Sequence, residues 1–489
     1  MLTTLAAPAF AGTWYIEDGD ITVKAGETEG TNKVSQGANQ EVEDTDTIIK
    51  NREDTASSNT VTIETKDKDD KVEVTLKDVN IDTSSRNKAA VSVTGSGNTT
   101  IKLDGDNHLT GGNGIYSNSS GSLTISGGEN DSLTAQGGDS RNGIYSVSGD
   151  VTISGGTVTA TGGNSTGSYG SGGDGIHSGS LTISGGTVTA TGGDSTGSNG
   201  LGGRGICSDS GGVTISGGTV NATGGNSGNG DFSDGGSGIN ISDVTVSGGT
   251  VTATGGNGGT GDYSDGGYGI CSFDRVAISG GTVEAAGGNG STGGGSGIYS
   301  SVIDLSGSLE LTAKAGSPNG KALSQKGSEL DLDTIKDKLG PGAKVTATDA
   351  NGETKQVSIP RPVEPEGPVI PEESSSSSGG DSATPSAPAS FLPGLTVTDK
   401  DGQRISYTST QSGNALTVCV GRLTASFRIS LAALRQLQAE GIETITFQTI
   451  LCSTTLSLDE LLAMGGEDAE IVLTHHIRSS TLTVGGKAV

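Results

Sequence analysis

One repeated position of this chain carries aromatic, imidazole, thiol and amide side chains. It follows glycine and isoleucine in a short motif, GI-x, which returns about every 30 residues and usually continues with serine. The residues at this position are Tyr116, Tyr145, His177, Cys207, Asn240, Cys271 and Tyr299. Aromatic rings exposed on a strand can stack on sugar rings, so we predict carbohydrate-binding residues at Tyr116, Tyr145, His177 and Tyr299. Tyrosine is also common on β surfaces, and that simpler interpretation stays open.

Two acidic segments of equal length, GDFSDGG and GDYSDGG, have the composition of a cation site. They contain Asp231 and Asp234 in one copy and Asp262 and Asp265 in the next. Stacked one repeat apart, their carboxylates would repel by roughly 0.8 kcal/mol per pair at about 5 Å in water. Calcium takes carboxylate and carbonyl oxygens and would remove that repulsion. We therefore predict a Ca²⁺ site at these four aspartates; the alternative is that both loops extend into solvent and bind no ion.

Catalysis has little support in the sequence. General acid–base chemistry needs titratable groups gathered in a cleft, whereas the predicted strands present threonine, serine and glycine and the acids lie in loops. Metalloprotease, serine-hydrolase and phosphate-loop motifs are absent from the sequence. A regular threonine lattice of the ice-binding kind is also disfavoured, because Asn221 and Glu284 interrupt it. We expect a protein that is not an enzyme.

These candidate residues are positioned by an internal repeat. VTISGGTVTATGGN at Val151 is followed by close copies that begin at Leu181, Val213, Val244 and Val276, with a period of about 28–32 residues. Apolar and polar residues alternate in VTIS and TVTAT, which indicates strands with one face inward. Glycine pairs end both segments, and we expect them to supply the positive φ of sharp corners. With GI-x-S as a third short strand, each repeat predicts one coil of a parallel β-helix.

The apolar positions of successive repeats define the expected core. Single coils bury only about five small apolar side chains, so stacking between coils must stabilise the fold. The predicted inward rows are Val151/Leu181/Val213/Val244/Val276, Ile153/Ile183/Ile215/Val246/Ile278, Val158/Val188/Val220/Val251/Val283 and Ile144/Ile176/Ile206/Ile239/Ile270.

Composition limits the function classes. The chain has 489 residues, of which 86 are glycine, and a net charge of −27. With no basic stripe we expect no nucleic-acid partner, and no apolar run is long enough to predict a transmembrane helix. Residues 1–11 resemble the end of a secretory signal peptide, with Ala9-Phe10-Ala11 as a cleavage pattern. The basic segment that normally precedes such a pattern is missing, so the true N-terminus stays open.

Five segments follow from these patterns: the signal-peptide remnant 1–11, an N-terminal cap 12–59, the β-helix 60–360, a Pro/Ser/Gly linker 361–392 and a small α+β domain 393–489. We expect the last domain to anchor the protein or to bind a protein partner. Cys207 and Cys271 should be free, because two rungs separate them by about 9–10 Å, too far for a disulfide. Whether Cys419 pairs with Cys452 stays open.

The segments KVEVTLKDVNID, TTIKLDGDNHLTGGNGIYS, LTISGG and TVTATGG resemble secreted Gram-positive carbohydrate-binding proteins. These are related to the clostridial polygalacturonate-binding proteins, and the resemblance covers about residues 14–360. It implies a right-handed, pectate-lyase-like β-helix that binds acidic polysaccharide through calcium without cleaving it. None of that family's calcium ligands can be matched to a position here.

We therefore expect a secreted or cell-surface, non-catalytic protein that binds a plant or bacterial cell-wall glycan. One alternative is a structural stalk or adhesin without a glycan site. A second is a degenerate polysaccharide lyase.

Overall fold

The computed structural model gives two compact units, one ending at residue 366 and the other beginning at residue 367. The described residues are 11–208, 211–360, 395–399, 404–405, 407–412, 414–420, 422, 424–439, 441–449, 453–463, 470–475, 480–484 and 487–488. The predicted signal-peptide remnant and the linker lie almost wholly outside these residues. No helix within the described ranges combines the length and the apolar character that crossing a bilayer requires.

The first unit is a parallel β-helix of about 12 turns, as the repeat predicts. Each regular turn contributes one strand to each of three faces, which we number in the order VTIS, TVTAT and GI-x-S. Face 1 contains Thr13–Tyr15, Ile48–Lys50, Lys71–Lys77, Asn98–Asp104, Leu123–Ser126, Val151–Ile153, Leu181–Ile183, Gly212–Ile215 and the later parts of Ile239–Val246, Ile270–Ile278 and Ile298–Leu305.

Face 2 contains Asn80–Asp82, Asp106–Gly111, Ser132–Gly137, Thr157–Thr161, Thr187–Thr191, Thr219–Thr223, Thr250–Thr254, Thr282–Ala286, Glu310–Lys314 and Lys344–Thr348, and the antiparallel strand Thr354–Ser358 ends it. Face 3 contains Ile21–Ala25, Val61–Glu64, Val91–Gly95, Ile115–Ser119, Ile144–Ser146, Ile176–His177, Ile206–Cys207, the first parts of the three long strands, and Leu323–Gln325 with Ser328–Glu329. Three short 3₁₀ helices span Ile16–Asp18, Ser84–Arg86 and Leu332–Lys338.

The predicted register between coils is confirmed. Ile183 pairs with Ile153 on one side and Ile215 on the other, and all three side chains are 0% exposed. The other predicted rows are buried in the same way, so one continuous core of small aliphatic side chains follows the axis. Stacking identical apolar residues at the rung spacing makes each coil's burial depend on its neighbours.

Glycine is required at the two corners for different reasons, and this corrects one expectation. At the first corner, Gly156 and Gly186 have φ of +77° and +76°, as predicted. At the second corner, Gly162 and Gly163 do not have positive φ. Glycine is needed there because the backbones of adjacent coils nearly touch: a Cβ on Gly163 would lie 1.7 Å from the carbonyl oxygen of Gly138.

Residues 12–59 join the coils rather than only covering them. Thr13–Tyr15 pairs in parallel with Ile48–Lys50, and Ile21–Ala25 pairs in parallel with Val61–Glu64. The antiparallel strands Asn32–Gln36 and Asn39–Asp44 then extend the edge of face 3. Trp14 lies against the core, and its indole N–H donates to the Asp44 carboxylate at 2.7 Å.

The variable loops are closed at their bases by glycine. Each loop connects the second corner of face 2 to the next strand of face 3. The Gly173 N–H donates to the Gly163 carbonyl at 2.8 Å, and the Gly295 N–H donates to the Gly288 carbonyl at 2.9 Å. We call each such pair of glycines a loop neck.

The second unit is a small α+β domain, as predicted. One sheet contains Leu395–Thr398, Ala425–Ser430, Glu470–His475, Ser480–Val484 and Lys487–Ala488, and the other contains Thr408–Ser412, Ala415–Cys419, Thr444–Gln448 and Ser453–Ser457. Its helices are Leu431–Ala439 and Leu458–Ala463. Ser430 caps the first of these helices, because its hydroxyl accepts from the Ala433 N–H at 3.2 Å. Cys419 is a free thiol, and Cys452 lies outside the described residues.

Candidate functional site

The aromatic column on face 3 lies in register, one residue per rung. Tyr116 pairs with Tyr145, Tyr145 with His177, and His177 with Cys207. The ring centres of Tyr116 and Tyr145 are 5.7 Å apart, and those of Tyr145 and His177 are 5.0 Å apart. Three of the four predicted binding residues therefore form one contiguous row along the axis.

The surface of this row is not flat. The planes of Tyr116 and Tyr145 are inclined at 49°, and His177 meets Tyr145 edge-on at 82°. All three side chains are half-buried. The row thus presents ring edges and tilted faces rather than the flat stacking surface that strand geometry alone suggests.

These rings form one wall of a groove of about 830 Å³, which we call the tyrosine groove. Two exposed cations, Lys88 and Arg141, line it as well. The full lining is Thr60, Thr62, Asn87, Lys88, Ala89, Ser92, Gly112, Asn113, Tyr116, Ser140, Arg141, Asn142, Tyr145 and His177. The groove therefore combines aromatic rings, hydroxyls, amides and positive charge on a chain with a net charge of −27.

Tyr299 belongs to a different part of face 3. Cys207, Asn240 and Cys271 occupy the rungs between it and His177. Four rung spacings correspond to roughly 19 Å. Tyr299 instead stacks on Tyr268, with ring centres 5.1 Å apart and an angle of 28°.

The four loop aspartates stack one coil apart, as predicted. The Asp262 N–H donates to the Asp231 Oδ1 and the Asp265 N–H to the Asp234 Oδ1, both at 2.8 Å. The Asp231 and Asp234 carboxylates thus each accept a hydrogen bond from the backbone of the next loop.

The same device recurs at the corner after face 2. There the Asn257 N–H donates to Asn226 Oδ1 and the Asn289 N–H to Asn257 Oδ1, both at 2.9 Å. Side-chain oxygens that hydrogen-bond the next coil are therefore a general feature of this β-helix, with or without an ion.

The loop aspartates do not form a ready-made calcium cage. Partial burial and the neighbouring charge of Asp234 raise the pKa of Asp265, so the carboxylates do crowd each other. Among the described residues, however, no three of these carboxylates bring oxygens within 4.8 Å of one another. Calcium binding would require side chains to turn.

The same loops expose an aromatic pair that sequence reasoning missed. Phe232 and Tyr263 are each 65% exposed, and their rings stack 5.2 Å apart at an angle of 10°. Both residues have positive φ, 56° and 57°. The signal was present in the sequence, because each ring lies between the two aspartates of its loop.

A cluster of Asp174, His177, Cys207 and Arg204 lies at the end of the tyrosine groove. Asp174 Oδ2 accepts from His177 Nδ1 at 3.0 Å, and Asp174 Oδ1 accepts from the Arg204 N–H at 2.8 Å. The Arg204 guanidinium donates to Cys207 Sγ at 3.0 Å. Burial alone would lower the pKa of His177, but its hydrogen bonds with Asp174 and Cys207 outweigh burial and raise that pKa to about 10.

The two thiols of this column are buried, although the tyrosines and the histidine in the same column are partly exposed. Cys207 and Cys271 are free, as expected, but they are only 1% and 3% exposed. Adjacent coils read DGIHS and RGICS, so Asp174 and Arg204 occupy equivalent positions, as do His177 and Cys207. Comparing the position three residues before each column member would have revealed the cluster.

Comparison with protein-family models gives no match. Comparison with curated proteins gives none either, and no solved structure matches the chain.

Proposed function

We propose that this protein is a non-catalytic carbohydrate-binding β-helix whose tyrosine groove holds an acidic polysaccharide. The observation that carries the proposal is that aromatic rings and two cations share one groove on an otherwise acidic chain. Tyr116 and Tyr145 provide apolar ring surface and His177 adds an imidazole ring, at one residue per rung. Lys88 and Arg141 supply charge that a neutral glycan would not need.

The direction of the row fits a linear polymer. Ring centres recur every 5.0–5.7 Å along the axis, so a chain lying in the groove would meet one ring after another. Hydroxyls of Thr62 and Ser92 continue the same column on earlier coils. These groups suit the mixed apolar and hydroxyl faces of sugars, and the two cations suit uronate carboxylates.

A pull-down on insoluble acidic and neutral polysaccharides tests this proposal. Tyr145→Ala should weaken retention on the acidic polymer at least fivefold, because a central aromatic anchor contributes more than about 1 kcal/mol. Tyr299→Ala is the matched control, since it removes the same side chain from the same column outside the groove. Equal loss in both variants, or no loss in either, would contradict a site in the groove.

Charge is tested separately with Arg141→Gln. Retention on the acidic polymer should fall and should become less sensitive to salt, because one exposed charge contact is removed. Retention on neutral polymers should not change. If no polysaccharide is retained by the unmodified protein, the stalk or adhesin alternative is favoured; release of unsaturated uronides would instead favour the degenerate lyase.

Calcium at Asp231, Asp234, Asp262 and Asp265 is a separate part of the proposal. The raised pKa of Asp265 supports it, since a divalent ion would relieve the crowding of the carboxylates. Calorimetry should give saturable heat with Ca²⁺ that disappears in an Asp234→Asn, Asp265→Asn variant. Absence of heat in the unmodified protein would remove calcium from the proposal, and EDTA in the pull-down separates this site from glycan retention.

We also propose a secreted or cell-surface location, supported by the A-x-A pattern at Ala9 to Ala11 and by the Pro/Ser-rich linker. The α+β domain would then anchor the β-helix or bind a protein partner. Fractionation of cells that produce the full chain tests the location, and cytoplasmic retention would contradict it.

A further inference from the structure

Cys207 is surrounded by groups that stabilise negative charge on sulfur. The Arg204 guanidinium donates to its Sγ at 3.0 Å, and the His177 side chain is hydrogen-bonded to it. Asp174 in turn accepts from His177 Nδ1 at 3.0 Å and holds the ring in place. The Tyr145 ring also lies against His177, 5.0 Å away and edge-on.

The arrangement alternates in charge: guanidinium, sulfur, imidazole, carboxylate. A nucleophile beside a base that is oriented by a third group is the geometry that activates cysteine. The Cys207 sulfur therefore lies between the guanidinium of Arg204 and the imidazole of His177, and the Asp174 carboxylate holds that imidazole.

A bound metal ion fits this cluster less well. The Asp174, His177 and Cys207 ligand atoms do lie within 4.8 Å of one another. Both Asp174 oxygens already accept hydrogen bonds, and the guanidinium of Arg204 touches the sulfur. A divalent cation would have to displace Arg204 and the Asp174–His177 hydrogen bond, and would lie beside a fixed positive charge.

We propose that Cys207 is a redox-reactive cysteine that small hydroperoxides oxidise to a sulfenic acid. Only a small electrophile can reach it, because Cys207 is 1% exposed. His177 lines the tyrosine groove and is hydrogen-bonded to the sulfur, so we expect the peroxide to enter from that groove.

The step balances with hydrogen peroxide as the oxidant. The Cys207 thiolate attacks one peroxide oxygen, an S–O bond forms and the O–O bond breaks. The departing hydroxide takes a proton from the His177 imidazolium and leaves as water. Sulfur loses two electrons, the peroxide gains two, and the products are Cys207–S–OH, neutral His177 and one water.

The chain contains its own control. Cys271 occupies the same column two rungs on, is equally buried, and has Asn240 and Tyr299 as its column neighbours. Tyr268 stands where Arg204 stands for Cys207. Burial, against a smaller opposing effect of Arg204, raises the pKa of Cys271 to about 11, so only about one part in ten thousand is thiolate at pH 7.

The test uses the folded full chain at pH 7 with a small molar excess of hydrogen peroxide and a reagent that traps sulfenic acids. Peptide-level mass spectrometry then measures labelling at each cysteine over time. We expect Cys207 to be labelled at least tenfold faster than Cys271, because a guanidinium and an imidazole contact its sulfur whereas burial raises the pKa of Cys271. His177→Gln and Arg204→Gln should each slow labelling of Cys207 at least tenfold, and His177→Gln should leave Cys271 unchanged.

Unfolded protein provides the reference, since both cysteines should react alike once the cluster is lost. Circular dichroism of each variant shows whether the β-helix is intact. Asp174→Asn, which weakens the hydrogen bond that orients His177, should give an intermediate rate in a folded protein. Two results would overturn the proposal. One is labelling of Cys207 no faster than Cys271 in the folded chain; the other is stoichiometric Zn²⁺ binding that Cys207→Ser abolishes, which would make the cluster a metal site.

Discussion

Replacing Ile183 by alanine tests the coil-on-coil core most directly. Ile183 is 0% exposed and lies between Ile153 and Ile215 on adjacent rungs. Removing its three outer carbons leaves a cavity that two neighbouring coils must share. An isoleucine-to-alanine change in such a position costs about 2–5 kcal/mol. We expect the upper half of that range, because the rigid strand register prevents the coils from closing the gap.

Thr182→Ala is the matched control. Thr182 lies on the same strand with its side chain exposed, so its loss should change the free energy of unfolding by less than about 0.5 kcal/mol. Urea unfolding of both variants followed by circular dichroism gives the comparison. Hydrogen exchange adds a local measure, since in a solenoid the destabilisation concentrates in the coils that touch the mutated one. Equal stability of the two variants would refute the inward row and, with it, the register of the β-helix.

Three further outcomes follow from single contacts. Gly186→Ala should lower the free energy of unfolding by about 1–3 kcal/mol in thermal unfolding, because Gly186 has φ +76° and a Cβ would lie 2.4 Å from a backbone oxygen. Gly167→Ala is the control and should leave that free energy unchanged, because no atom would lie nearer than 3.7 Å to its Cβ. Asn257→Ala should lower the free energy of unfolding by about 0.5–1.5 kcal/mol. It should also speed hydrogen exchange of the Asn289 amide, which donates to Asn257 Oδ1. An unchanged exchange rate would contradict this hydrogen bond between coils. The hydrogen bond from Arg86 lowers the pKa of Asp20 to about 2, so its stabilisation is present above pH 3.8 and disappears as pH falls towards 2. In an acid titration the Asp20→Asn variant should lack this pH dependence. The dependence contributes less than about 1 kcal/mol to the free energy of unfolding, because solvent screens the ion pair.

The fold could be read from the sequence because the repeat fixes both strand period and register. Alternation in VTIS and TVTAT defines the inward residues, and identical spacing in each copy places them in rows. The irregular early coils keep the same register, since Val91 pairs with Ile115 of the first GI-x-S motif. The corner at Gly163 was misjudged because a local glycine signal cannot distinguish positive φ from close contact with another coil.

The candidate site was less predictable because it depends on what covers the strands. Sequence position placed His177 and Cys207 in one column, but burial of the thiol depends on the neighbouring loops and on Arg204. The tyrosine groove likewise needs Lys88 and Arg141, which are close to the column in space but outside the repeated motif. The two-residue alternation of a strand predicts whether a side chain points inward or outward, but it does not predict which residues cover that side chain.

The loop necks make the structure of each coil independent of the sequence of the loop that it carries. The pair Gly225 and Gly236 encloses residues 226–235, whereas the pair Gly288 and Gly295 encloses only residues 289–294, yet each neck is closed by the same hydrogen bond at 2.9 Å. Segments of quite different size are thus tolerated at one place on the scaffold. The β-helix therefore offers a row of interchangeable insertion points, where new surface chemistry can be acquired coil by coil while the rungs beneath keep their alignment.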